Sequence, residues 1–145
     1  MPRRKADAAV VVFALLVVAT VAAFAYAQRV KRDPLLVDHY RIGTKDSNVF
    51  TPRETCNRRI RLKFRTTTSN DGTVEIIRPG GEIVSVLAKK QFLKRYSYHV
   101  YHWNGTNDDG VIQPAGRYRL RVMLEDEGRE LTLPGTIRLH DRGHC

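Results

Sequence analysis

A chain of 145 residues has room for one globular domain, and its mean hydropathy of −0.38 averages two unlike parts. Residues 8–28 carry no charge and are nearly all Ala, Val, Leu or Phe, so the remainder is strongly polar. The formal charge is +10, and half of it flanks that apolar run, where Arg3, Arg4, Lys5, Arg29, Lys31 and Arg32 face only Asp7. Basicity placed there belongs to a membrane boundary and gives no ground for a nucleic-acid-binding function.

A basic tail over residues 1–7 leads into the apolar segment, 8–28. A helix rises about 1.5 Å per residue and needs roughly 20 residues to cross the hydrocarbon core, which the run from 8 to 27 supplies. The alternative is a signal peptide, because Ala25-Tyr26-Ala27 before Gln28 forms an A-x-A cleavage pattern. Cleavage near Ala27 would give a secreted protein. Signal-peptide apolar cores run about 7–15 residues, shorter than this one, and Arg29, Lys31 and Arg32 follow as an interfacial collar would. An uncleaved anchor is therefore the expectation, with residues 29–34 as linker.

Asp33-Pro34 stops any continuing helix, and residues 35–42 (L-L-V-D-H-Y-R-I) read as a first strand. Residues 43–57 combine Gly, Ser, Asn and Pro without a pattern and read as loop. The clearest strand is 59–66, where Ile60, Leu62 and Phe64 face one way and Arg59, Arg61, Lys63 and Arg65 the other. After a turn over 66–72, residues 73–78 and 83–87 form a hairpin across Pro79-Gly80-Gly81-Glu82. Residues 89–97 read as a basic connection. Strands at 98–103 and 117–124 follow, then an acidic turn at 125–128. A last strand covers 129–139, interrupted at Pro134-Gly135. About seven short strands with turn signals between them predict an all-β antiparallel sandwich over residues 35–141, with 142–145 as a tail. Two packed sheets would bury Ile60, Leu62, Phe64, Val74, Ile76, Trp103, Tyr118, Leu120, Val122 and Leu139. There is no internal repeat or low-complexity tract.

The stretch from 98 to 124 organises the rest. Between its two alternating runs lies a centre dense in Gly, Asn and Asp, in which Asn104-Gly105 and Asp109-Gly110 supply positive φ. Pro114 and Gly116 set the entry to the second strand. Every special residue there has a backbone role, and none is placed for catalysis.

Trp103-Asn104-Gly105, then Asn107-Asp108-Asp109-Gly110, then Pro114-x-Gly116-x-Tyr118 resembles the signature of the Ig-like module of the flagellar hook-capping (FlgD) family. That module also recurs in bacterial secreted and surface proteins. The resemblance covers residues 59–139 and marks Trp103, Gly105, Gly110, Pro114, Gly116 and Tyr118 as a structural signature. It departs at Asn104, where the family more often has Asp, and at Gln113, a usually apolar position. The acidic segment that often precedes the module's first core strand is replaced by F-T-P-R-E-T-C-N (residues 50–57), so no cation-binding role carries over. What the resemblance implies is an Ig-like fold in a bacterial membrane-anchored or secreted setting, not hook assembly. Basic residues nearly balance across the apolar segment. Orientation therefore follows from the resemblance and the domain type, with the amino end in the cytoplasm and the domain outside.

The same residues offer few groupings that could carry chemistry. Asn107, Asp108 and Asp109 before Gly110 suggest calcium, but a helix–loop–helix calcium loop would place its first and twelfth positions on Gly105 and Gly116, which offer no carboxylate. His99 and His102 are three apart on a strand and point to opposite faces, so they cannot chelate one metal. His39, His140 and His144 are scattered, with His140, His144 and Cys145 the best remaining grouping in the tail. No nucleophile motif, phosphate-binding glycine loop or carboxylate pair is legible, so neither an enzyme nor a cofactor is expected. The rows Arg59/Arg61/Lys63/Arg65 and Arg117/Arg119/Arg121 admit binding to an anionic polymer such as envelope teichoic or nucleic acid. Against that, they fall on different sheets, have cross-strand partners such as Glu75 and Glu130, and show no interleaved aromatics.

The expected function is that of a membrane-anchored extracytoplasmic binding or structural module of the bacterial envelope, held by residues 8–28. Its partner is either an envelope protein or an anionic polymer, met through basic strand faces and loops, with no nucleic acid expected. Counting seven alternating strands from the membrane puts Cys56 and Cys145 at the same distal end. A disulfide there would close a loop of about 90 residues, and two free thiols are the alternative. The same count turns residues 67–72 and 88–97 towards the membrane. There Lys89, Lys90, Lys94 and Arg95 surround Phe92 and Leu93 as a candidate anionic-lipid contact, unless the two apolar residues pack onto the sandwich edge.

Overall fold

The structure, a computed structural model, describes residues 3–31, 35–44, 47–53 and 58–142. The chain divides into two compact units, Met1–Pro34 and Leu35–Cys145. The first contains α1 (Arg3–Lys31), in which Ala8–Arg29 is long and apolar enough to cross a membrane. Val10, Phe13, Leu16 and Phe24 are exposed on it, and a helix apolar on all sides needs an apolar surrounding.

The second unit is all β. In chain order it holds β1 (Val37–Ile42), β2 (Val49–Phe50), β3 (Ile60–Thr66), β4 (Asn70–Ile77), β5 (Ile83–Leu93), β6 (Tyr98–Trp103), β7 (Gly116–Leu124), β8 (Arg129–Thr132) and β9 (Ile137–Leu139). Three strands form one sheet in the order β1-β3-β6, and a larger sheet runs β2-β9-β7-β4-β5 with β8 beside β7. All pairings are antiparallel except β2 with β9, which is parallel.

Alternation decides which side chains meet. In β3 every second residue is buried, and Leu62 and Phe64 face Val74, Ile76, Leu120 and Val122 of the larger sheet in one core. All ten side chains that the sequence assigns to the core are buried. The hairpin over residues 78–82 forms as its residues dictate, with Gly81 N–H donating to the Arg78 carbonyl at 2.9 Å. The last strand is broken as expected: β8 pairs with the second half of β7 and β9 with the first, on either side of Pro134-Gly135.

Three local readings are corrected. The loop over 43–57 contains β2, too short to show a period. The turn assigned to 66–72 is confined to 67–69, because Asn70-Asp71-Gly72 already belongs to β4. Gly72 serves there as a close approach, since a Cβ would stand 2.4 Å from Leu93 Cδ1. The connection assigned to 89–97 is strand as far as Leu93. In it Gln91 pairs with Gly72 but Ala88 with Val74, so β5 carries one extra residue across that interval. Lys90 takes φ 49° at this bulge and its N–H reaches Thr73 Oγ1 at 3.3 Å. A bulge shifts the phase of alternation, which hides the strand from a period-two reading.

Strand direction gives the sandwich two ends. Leu36, Thr66 and Tyr96 lie together at the end where the chain enters, joined by Thr67 N–H to the Leu36 carbonyl (3.0 Å) and Tyr96 N–H to the Thr66 carbonyl (2.8 Å). The turn between β6 and β7 and the end of β9 lie at the other. β2 runs the same way as β1, so it leaves the parity of the expected strand count unchanged. Cys56 and Cys145, and hence their pairing, lie outside the described residues.

Neighbours on a strand point to opposite faces, and past the bulge Leu93 is fully buried while Phe92 is 62% exposed. Leu93→Ala should lower unfolding stability by about 2–5 kcal/mol, whereas Phe92→Ala should stay within about 0.5 kcal/mol of the parent. Urea titration followed by Trp103 fluorescence measures both, and similar values for the two would contradict the strand assignment.

Candidate functional site

The turn over residues 104–115 is built on Trp103. Its indole is buried at the far end of the sandwich, meets Phe50 and Tyr118 edge-on at 5.4 and 4.9 Å between centroids, and donates from Nε1 to the Thr106 carbonyl at 2.8 Å. Gly105 has φ +81°, and a Cβ there would come within 2.5 Å of Pro52 Cγ and 2.9 Å of Leu139 Cδ1. Gly110 has φ +80° in open space, so its constraint is backbone conformation alone. Tyr118, near the start of β7, donates its hydroxyl to the Pro114 carbonyl at 2.6 Å, across Gly116. Burial raises the pKa of that phenol, with Arg78 opposing the shift.

The polar side chains of the turn are spent on the chain itself. Asn104 Oδ1 accepts from Thr106 Oγ1 at 2.8 Å, and Asn107 Oδ1 from Val111 N–H at 2.8 Å. Asp108 reaches across to β5, where its Oδ1 accepts from Val86 N–H at 2.8 Å and Ser85 Oγ at 3.0 Å. That contact caps an edge strand, and sequence reasoning missed it because nothing local links Asp108 to Val86. An open cleft of about 600 Å³ borders the turn, lined in part by Arg58, Arg59, Leu87, His102 and Asn104. Ser85, also on its wall, donates its hydroxyl to Asp108. Among the described residues no three His, Cys, Asp or Glu side chains converge on a metal position.

The two basic rows fall on different sheets, with different fates. On β7, Arg121 is nearly buried against Glu75 of β4, with Nε and Nη2 at 2.8 and 2.6 Å from Oε2, and Glu130 lies 3.9 Å away. On β3, Arg61, Lys63 and Arg65 point outward between Arg41 and His39 of β1 and His102, Val100 and Tyr98 of β6. Here the expectation that no aromatics interleave the row is overturned. Lys63 Nζ sits 3.7 Å from the Tyr98 ring centroid, Arg65 Cζ lies 5.6 Å from Tyr98 and 6.0 Å from Tyr96, and Arg95 covers Tyr96 at 4.6 Å. The tyrosines lie far along the chain from β3, and only strand register brings them over it. His99 sits on the opposite side of β6 from His102, beside Phe64 at 5.6 Å.

The four candidate lipid contacts are divided between two structures. Lys89 and Lys90 belong to the bulge of β5, and Lys90 Nζ lies 3.6 Å from Glu125. Lys94 and Arg95 belong to the turn at the entry end, where Arg95 N–H is held by Ser69 Oγ at 3.0 Å. They do not form one loop.

Comparison with protein-family models and with curated proteins gives no match to this chain.

Trp103→Ala removes one of the largest contacts between the two sheets and should destabilise the domain by about 3–5 kcal/mol in calorimetry. Tyr118→Phe deletes one hydrogen bond and leaves the Pro114 carbonyl unpaired, for about 1–2 kcal/mol. A ratio near one between the two would mean the indole is not the larger anchor.

Asp38 offers a pH test. Hydrogen bonding from Arg65 (Nε at 3.0 Å from Oδ1) is the largest cause lowering its pKa from 3.8 to about 2. Partial desolvation opposes the shift and His39 adds to it. A depressed folded-state pKa means the pair stabilises above about pH 4 and loses that contribution as pH falls towards 2. Asp38→Asn should therefore melt below the parent at pH 5, with the gap closing by pH 2. A constant gap would dissociate the pair from acid sensitivity.

Proposed function

We propose that this protein is a single-pass membrane protein presenting one Ig-like sandwich outside the bacterial cell membrane, where it acts as a non-catalytic binding or structural module. The observation that carries the reading is the Tyr118–Pro114 hydrogen bond. Immunoglobulin-like sandwiches place a tyrosine near the start of strand F whose hydroxyl returns to the backbone a few residues upstream, and Tyr118 does the same at the start of β7. Strand order supports it. Taking β1, β3 and β6 as strands A, B and E, and β4, β7 and β9 as C, F and G, the A-B-E sheet faces C-F-G in the order of that fold. The resemblance of residues 59–139 to the Ig-like module of hook-capping proteins agrees with both. A non-catalytic role is supported by the turn, whose Asn and Asp side chains are engaged in holding the backbone. Anchoring is supported by the length and apolarity of Ala8–Arg29, and the collar of Arg29, Lys31 and Arg32 suits an uncleaved segment.

With an epitope at the carboxyl end, the protein should stay in the membrane fraction after alkaline extraction at its full mass of 16.6 kDa plus the tag. Protease added outside intact cells should remove the epitope. A mature protein beginning at Gln28 would replace the anchor by a cleaved signal. An epitope protected until lysis would reverse the orientation.

A further inference from the structure

The outer face of the three-stranded sheet carries charge that the fold itself does not neutralise. By register Arg41 and Lys63 stand directly opposite each other on β1 and β3, and like charges so placed destabilise a sheet. Asp38 is the one carboxylate in the three strands, and it is taken by Arg65. Among the described residues Arg41, Arg61 and Lys63 form no ion pair. Between Arg41 and Lys63 lies a hollow of about 150 Å³, lined also by His39, Tyr40 and Tyr98. Along β3 the cations Arg61, Lys63 and Arg65 recur at every second residue, a spacing of about 7 Å. The tyrosines hold Lys63 and Arg65 in place, which lowers the entropy lost when an anion binds.

We propose that this face binds a linear phosphate polymer lacking nucleobases, laid along β3 with one phosphate over the Arg41–Lys63 hollow and the next towards Arg61. Forked guanidinium donors match phosphate oxygens two at a time. A row of cations suits a repeating anion better than a single one. Nucleic acid is disfavoured because single strands bind by stacking bases on free aromatic faces, and Lys63 covers the Tyr98 ring. The proposal goes beyond the envelope-module reading and relies on it only for where such a polymer is met. Binding by purified protein is independent of membrane topology, so either can fail alone.

The test uses the full chain in non-ionic detergent, titrated with inorganic polyphosphate. Arg41→Gln/Arg61→Gln/Lys63→Gln should weaken binding at least about tenfold and lower the slope of log K against log salt by about two to three. The charge-matched control Arg117→Gln/Arg119→Gln/Arg138→Gln on the larger sheet should change affinity less than about threefold by the same counting. Polyphosphate should also slow acylation of Lys63 in the unaltered protein, a readout that stands even if the first variant fails to fold. Equal weakening by both variants, or no protection of Lys63, overturns the proposal. Tighter binding of oligothymidylate of equal charge would assign the face to nucleic acid instead. Protection of Lys63 by anionic lipid nanodiscs without polymer would assign it to the bilayer.

Discussion

The far end of the sandwich is closed by one indole. Trp103 is the last residue of β6, yet its ring rests against Phe50 of β2 and Tyr118 of β7, so a single side chain joins the smaller sheet to two strands of the larger one. Buried that deeply, its N–H needs an acceptor, and the Thr106 carbonyl supplies one only if the chain doubles back at once. Gly105 makes the reversal, with Pro52 and Leu139 packed where any side chain would stand. In the parallel pairing of β2 with β9, Phe50 stands opposite Leu139 and against the indole. Much of the turn's polar composition is thus a consequence of burying one tryptophan.

The free edge of the larger sheet needs separate protection. β5 is eleven residues long, and an exposed strand of that length invites pairing with another chain. Three devices blunt it. Asp108 occupies the Val86 N–H from outside, a bulge at Lys90 breaks the regular row of donors, and Lys89 with Lys90 puts charge on the edge. The turn therefore has two tasks, receiving Trp103 on one side and capping β5 on the other.

The basic rows show how one sequence pattern acquires two physical meanings. Arg121 and Lys63 both alternate with apolar residues along a strand. Arg121 faces Glu75, and the nearly buried pair fixes β7 against β4, where removal of either partner would strand a charge. Lys63 faces Arg41 and rests on a tyrosine, so its charge remains directed at solvent. Cross-strand register, not composition, separates a cation that serves stability from one available to a ligand.

The sequence by itself determined the apolar helix, the all-β class, ten of the core side chains and the turn chemistry, because each rests on a local period or on a residue with a restricted backbone; Phe50 and Leu93 of the core escaped it. Ile60, Leu62 and Phe64 could face one way only in a strand, and the pairs Asn104-Gly105 and Asp109-Gly110 mark turns that need positive φ at the glycine. What escaped it is what depends on partners distant in the chain. The second half of β5 is a strand because Asn70-Asp71-Gly72 pairs with it and Leu93 fills the space over Gly72, although its own residues lose their alternation at the bulge. Asp108 reads as a turn residue and becomes an edge cap; Tyr96 and Tyr98 read as ordinary strand and turn residues and become the ring supports of Lys63 and Arg65. Local residues set backbone conformation within a few positions, but pairing register is fixed only when both sheets bury their apolar faces together. Only the tertiary structure, therefore, decided which charges meet a partner and which are left exposed.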